Sequence, residues 1–190
     1  MSQLTHYIEL KAIPQIEIPH SAIMAIALQN LHRILPLAEG QIGLGFPQYH
    51  REQGLGHLIR LFGTEENLKS LQPKLFGLDE LSNYFLIEPM TEVPKTTKPV
   101  RYQRVQHKGA SAIRRSEKRL KERGLWSEEI AQRMAVQQQQ IKRYPHVFLR
   151  SYTTGQKKFL LEIQQVVCNQ HQAGEFNGYG LSKTATVPHF

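Results

Sequence analysis

The chain has 190 residues, 40% of them hydrophobic, and a single cysteine, Cys168; this is enough apolar material for a packed core, and it excludes a disordered tail, an intramolecular disulfide and a cysteine-cluster zinc site. The formal charge is +8, from 24 Lys and Arg against 16 Asp and Glu, which points to a polyanionic partner wherever the excess is concentrated. There is no basic stretch leading into an apolar core at the N-terminus, and the longest apolar run, residues 22–28, is too short to span a bilayer, so a cytoplasmic protein without a membrane partner is expected.

Residues 6–13 alternate Tyr7, Glu9 and Lys11 against Ile8, Leu10 and Ala12 and read as a strand. Pro14 and Pro19 hold an extended link into residues 21–35. There Ile23, Met24, Ile26, Ala27, Leu28, Leu31, Ile34 and Leu35 form the wide apolar stripe of a helix packed on a sheet, ended by Pro36. Residues 42–46 predict a second strand closed by Pro47. Residues 56–62 alternate as a third, and Thr64 with Glu65 and Glu66 opens a second helix with its acids where the dipole favours them. Residues 84–87 with Val93 give a fourth strand. The order is βαββαβ, a ferredoxin-like arrangement over residues 1–94. The third strand offers His57, Ile59, Leu61 and Phe62 in place of the aromatic pattern of RNA-recognition modules, so the sheet face is not the expected reader of RNA.

The charge sits in one place. Residues 95–124 hold 11 of the 24 Lys and Arg and only two acids, Glu117 and Glu122, so this stretch carries +9 and the rest of the chain −1. Pro99, Val100, Tyr102 and Val105 predict an extended segment, Gly109 breaks it, and Ser111 caps a helix over 111–123 that Gly124 stops. On a helical wheel Arg114, Arg115, Lys118, Arg119, Lys121 and Arg123 share one broad face, with Ile113 and Leu120 opposite. Glu122 falls inside the basic face, where Lys118 can neutralise it. A solvated charged helix is one reading; the density of arginines able to fork onto phosphate or guanine favours nucleic acid.

Ser127, followed by Glu128 and Glu129, starts a further helix to about residue 143. Pro145 separates it from two strands, 147–152 and 159–167, joined by the turn Thr153-Thr154-Gly155-Gln156. The domain division is therefore expected between 1–94 and 95–190. The second part holds the arginine-rich helix and a small antiparallel sheet, and the fold class is α+β.

Nine histidines without a metal-binding spacing, no paired carboxylates and no phosphate-binding glycine loop leave metal, cofactor and ATP chemistry without support. What remains is histidine acid-base work helped by hydroxyls. His32 lies at the edge of the apolar stripe near the end of its helix, where the dipole favours a cation. Spacing alone does not select it from the other histidines.

The assembled motifs are NLHRIL, IGLGFP, VRYQRVQHK before the arginine-rich helix, FLRSYTTGQKKFLLEI and the terminal YGLSKTATVPHF. Together they resemble the type I-F CRISPR-associated repeat-processing endoribonucleases over nearly the whole chain, the last two being the most specific. The resemblance implies a ferredoxin-like domain joined to one whose arginine-rich helix lies in the major groove of a repeat RNA hairpin. It implies metal-free cleavage at the 3′ side of the stem, product retention as mature crRNA, and partners in the crRNA surveillance complex. It assigns catalytic roles to His32, Ser151 and Tyr179, and base reading at the stem foot to Arg104 and Gln106. Further RNA contacts are expected from His107, Lys108, Arg114, Arg115, Lys118, Arg119, Arg123 and Thr153. Glu122 departs from the pattern by placing an acid on the groove-facing helix. The alternatives are a hairpin-binding subunit without chemistry and a DNA-binding regulator, for which duplex DNA would compete equally.

Overall fold

The computed structural model describes residues 4–106, 110–139, 143–150 and 158–190. The first part of the chain gives β1 (His6–Ala12), α1 (His20–Ile34), β2 (Gly43–Gly45), β3 (Leu58–Gly63), α2 (Glu65–Phe76), a short α3 (Asp79–Tyr84), β4 (Phe85–Ile87) and β5 (Thr91–Glu92). The sheet order β2-β3-β1-β4, antiparallel throughout, is that of a ferredoxin-like sheet. Alternation explains its core side: Ile8, Leu10 and Ala12 on β1 and Ile59 and Leu61 on β3 are buried.

α1 lays Ile23, Met24, Ala27, Leu28, Leu31 and Ile34 into the core, a 3.6-residue stripe. Pro36 sits in a short 3-10 turn, Leu35–Ala38, that closes it. Thr64 caps α2 by accepting a hydrogen bond from the Asn67 N–H at 3.2 Å. The expected fourth strand is two short pieces, because β4 pairs with Leu10–Ala12 and β5 with His6 and Tyr7, and Pro89 stands in the link between them. The sequence pattern missed α3, whose six residues are too few for periodicity to register. Asn30 ties it to α1 by donating to Glu80 Oε2 at 2.9 Å.

The remainder forms β6 (Lys98–Val105), α4 (Ala110–Glu122), α5 (Glu128–Gln139), β7 (His146–Leu149), β8 (Phe159–Val167) and β9 (Val187–His189), with a second sheet ordered β7-β8-β6-β9. The expected hairpin turn at 153–156 lies outside the described residues.

Two compact units result, and they do not follow the expected cut at residue 94. One takes the chain up to Arg104 together with Tyr144–Phe190; the other is Val105–Arg143, with α4 and α5. The reason is burial. Val100 and Tyr102 of β6, Val147 and Leu149 of β7, Leu161 and Ile163 of β8 and Val187 of β9 belong to the same buried cluster as the first sheet and α1. The second sheet shares the first sheet's core, and α4 and α5 belong to the other unit. No helix among the described residues is long and apolar enough to cross a membrane.

Candidate active site

Two segments far apart in the chain meet at His32. The residue stands in the last turn of α1 and is half-buried. Its Nδ1 lies 2.7 Å from the carbonyl oxygen of Gly178. A carbonyl only accepts, so Nδ1 carries the hydrogen, and in the neutral form of the ring Nε2 is then the acceptor. The Tyr179 ring stacks against it with centroids 3.9 Å apart and planes 10° from parallel.

The turn that supplies both contacts is built from within. Asn177 Oδ1 accepts from the N–H groups of Tyr179 at 2.8 Å and Leu181 at 3.3 Å, and the Gly180 N–H donates to the Asn177 carbonyl at 2.8 Å. Gly180 adopts φ +67°, a conformation that side-chain-bearing residues disfavour, and its carbonyl accepts from Leu44 N–H on β2 at 2.8 Å. Gly178 matters for a different reason: a Cβ there would lie 3.2 Å from His32 Cε1 and 3.3 Å from Nδ1.

Arg104, near the end of β6, brings a cation close to Tyr179. Its guanidinium carbon lies 5.9 Å from the Tyr179 ring centroid and 5.5 Å from that of Phe159, and the two rings meet edge to face at 6.3 Å. Arg104 Nε is buried with no hydrogen-bond partner among the described residues. A buried donor without a partner is costly unless a ligand supplies an acceptor. Burial raises the pKa of the Tyr179 hydroxyl while the Arg104 charge opposes the rise, so the phenol stays protonated near neutral pH.

Of the sequence candidates, His32, Tyr179 and Arg104 are thus brought together. Gln106 is exposed just past β6. Ser151, Thr153, His107 and Lys108 lie outside the described residues. The Val105–Arg143 unit carries Arg114, Arg115, Lys118, Arg119 and Arg123, on or just beyond α4. Lys118 reaches Glu122 at 3.8 Å and Lys121 pairs with Glu117 at 2.8 Å, so both acids of the basic stretch are neutralised on α4 itself. Exposed pairs of this kind are worth little, about 0.3–0.5 kcal/mol.

The sequence reading missed Asn177, Gly178 and Phe159. Asn-Gly before Tyr179 is a turn signal that flags the first two; Phe159, following two lysines at a strand start, reads by pattern only as a strand residue. Among the described residues no group of three or more His, Cys, Asp or Glu is placed to hold a metal ion. A cavity of about 1290 Å³ lies elsewhere, between Thr5, His6, Glu65, Glu92 and His171, and shares no residue with the His32 site.

Comparison with known proteins identifies the family. A family model described as "CRISPR-associated protein (Cas_Csy4)" matches residues 7–190. Two relatives, both named "CRISPR-associated endonuclease Cas6/Csy4", come from Escherichia coli (strain UTI89 / UPEC) and Pseudomonas aeruginosa (strain UCBPP-PA14). Each is 30% identical over 190 residues, covering 98% of this chain and 100% of the relative.

Proposed function

The chain belongs to the Cas_Csy4 family of CRISPR-associated proteins, and from that premise we propose that it is an endoribonuclease that binds a CRISPR repeat RNA hairpin and cuts precursor crRNA at the 3′ side of the stem without a metal ion. The observation that carries the reading is the 2.7 Å hydrogen bond from His32 Nδ1 to the Gly178 carbonyl, which leaves Nε2 free to accept a proton.

RNA contains its own nucleophile, the 2′-OH beside the scissile phosphate, so the protein needs a base and a way to hold the attack in line. His32 Nε2 takes the 2′-OH proton as the O2′–P bond forms. The P–O5′ bond breaks, the departing oxygen takes up a proton, and the products are a 2′,3′-cyclic phosphate and a 5′-OH. Ser151 holds the scissile ribose, and Tyr179 keeps the imidazole in plane. A positioned acid-base group of this kind contributes about 10² to 10⁴ in rate.

Recognition divides between two sets of residues. Arg104, with an unsatisfied donor beside the catalytic pair, and Gln106 read the base pairs at the stem foot. The cations of α4, with His107, Lys108 and Thr153, engage the RNA backbone and groove. The deep, narrow major groove of continuous A-form RNA excludes side chains, so α4 uses the opened end of a short stem-loop. The product stays bound as mature crRNA and joins the other subunits of a type I-F surveillance complex in the cytoplasm.

The test is incubation of the purified protein in EDTA with an RNA repeat hairpin and with a copy carrying one 2′-deoxy sugar just upstream of the cut. Cleavage of the all-ribose RNA alone supports the mechanism. Tight binding of both with cleavage of neither makes the protein a hairpin-binding subunit without chemistry.

A further inference from the structure

We infer that Gln29 is a positioning residue for cleavage, its side-chain carbonyl tying the backbone that leads into Ser151 to the helix that carries His32. The inference rests on the endoribonuclease reading above. It concerns a residue to which neither the sequence motifs nor that reading assigns a role.

Gln29 stands on α1 three residues before His32, which puts the two side chains on neighbouring positions of one helix surface. Its Oε1 accepts a hydrogen bond from the Arg150 N–H at 2.7 Å. Arg150 is the first residue after β7, and Ser151 follows it directly. β7 is the edge strand of its sheet, so it carries backbone groups that no neighbouring strand can pair. Gln29 satisfies the backbone N–H of the residue that follows this strand and precedes the proposed ribose-holding serine.

Among the described residues these elements also share apolar burial. Val147 and Leu149 of β7 are buried in the core that α1 also lines. Packing of this kind fixes how close two elements come but tolerates small slides along their surfaces. A hydrogen bond of 2.7 Å is directional and sets register as well as distance. The proposed reaction needs the ribose and the imidazole in one geometry, and a displacement of about 1 Å can cost about 10²-fold in rate. One side chain therefore couples the base on α1 to the end of β7.

A mere strand cap would contribute stability alone, whereas a positioning residue contributes rate at full occupancy. The experiment compares wild-type protein with Gln29→Met, which keeps the length of the side chain and removes the acceptor, and with Gln29→Glu, which keeps an acceptor oxygen. Gln29→Asn, one methylene too short to reach, is a second loss variant should the methionine protein fold poorly. Four quantities are read: single-turnover cleavage of the RNA hairpin at saturating protein, binding of the 2′-deoxy hairpin, melting temperature, and hydrogen exchange at the Arg150 amide.

The expected result is a rate about tenfold or more below wild type for Met and Asn, with hairpin affinity and melting temperature retained and exchange at Arg150 accelerated, and recovery of most of the rate by Glu. Wild-type rates from both loss variants, or a rate that falls only in step with affinity or melting temperature, would overturn the inference while leaving the parent reading intact. A wild-type protein that binds the hairpin and cuts nothing removes both.

Discussion

The imidazole of His32 and the ring of Tyr179 lie nearly parallel, 3.9 Å apart, and the carbonyl of the intervening neighbour, Gly178, accepts the imidazole's Nδ1 hydrogen. One turn of backbone therefore fixes both the plane and the tautomer of the proposed base. Its consequences can be separated by mutation.

Removing the base and removing its support differ in degree. His32→Ala is expected to lower single-turnover cleavage by about 10² to 10⁴ while hairpin binding persists. Tyr179→Phe keeps the stacked ring and is expected to stay near wild type, whereas Tyr179→Ala loses an aromatic contact worth about 0.5–1.5 kcal/mol and is expected to slow cleavage by up to about tenfold. If the phenylalanine variant proves as slow as the alanine one, the hydroxyl, and not the stacking, is what matters.

Gly178→Ala places a methyl group 3.2 Å from His32 Cε1 and 3.4 Å from Pro36 Cγ. The ring must shift by a few tenths of an ångström. The expected outcome is a fall in cleavage of about tenfold, at unchanged hairpin affinity, measured under single-turnover conditions. Full activity in this variant would mean that the bond from Nδ1 to the carbonyl tolerates displacement and that the tautomer argument carries little weight.

Arg104 has a buried donor without a partner among the described residues, so it is poised for an incoming acceptor. Arg104→Ala is expected to relax preference at the stem foot, costing about 1–3 kcal/mol with the matched hairpin and less with mismatched ones. Substituting an exposed arginine of α4 is expected to weaken all hairpins alike and flatten the salt dependence. Binding titrations at several salt concentrations distinguish the two classes.

Tyr102 tests the core and not the site. Its hydroxyl donates to the Phe46 carbonyl at 2.8 Å and accepts from Gln165 at 2.8 Å, and burial pushes its pKa up from 10.0 to about 12. A folded pKa above the unfolded one means that folding favours the protonated phenol. The stabilisation is present in full below pH 10 and is lost as pH rises towards 12, at up to about 1.4 kcal/mol for each pH step of one between the two values. Tyr102→Phe is expected to cost about 1–3 kcal/mol near neutral pH, because two hydrogen bonds of the hydroxyl are lost, and to flatten this alkaline decline. Denaturant unfolding at about pH 7, 9 and 11 measures both effects.

Much of the fold was legible in local patterns. The alternation at β1 and β3, the stripe on α1, the cap at Thr64 and the compositional break at residue 95 are short-range signals, and the ferredoxin-like order follows from their sequence. The Lys118 to Glu122 pairing on α4 was readable for the same reason, since helix geometry fixes neighbours four residues apart. Where reading faltered, the deciding contacts were distant. The short α3 is held by Asn30 on another helix, and β4 and β5 are separated by their different partners along β1.

By itself, then, the sequence determined the local elements, the basic segment and, through its motifs, the family. Tertiary structure alone decided that β6 to β9 share the first sheet's core, since hydrophobic burial is non-directional and many pairings would satisfy the same pattern. It also decided how His32 is oriented. Nothing in the spacing around residue 32 encodes a carbonyl at residue 178, because that bond exists only once α1 and the Asn177–Leu181 turn have been brought together by residues remote from both in the chain.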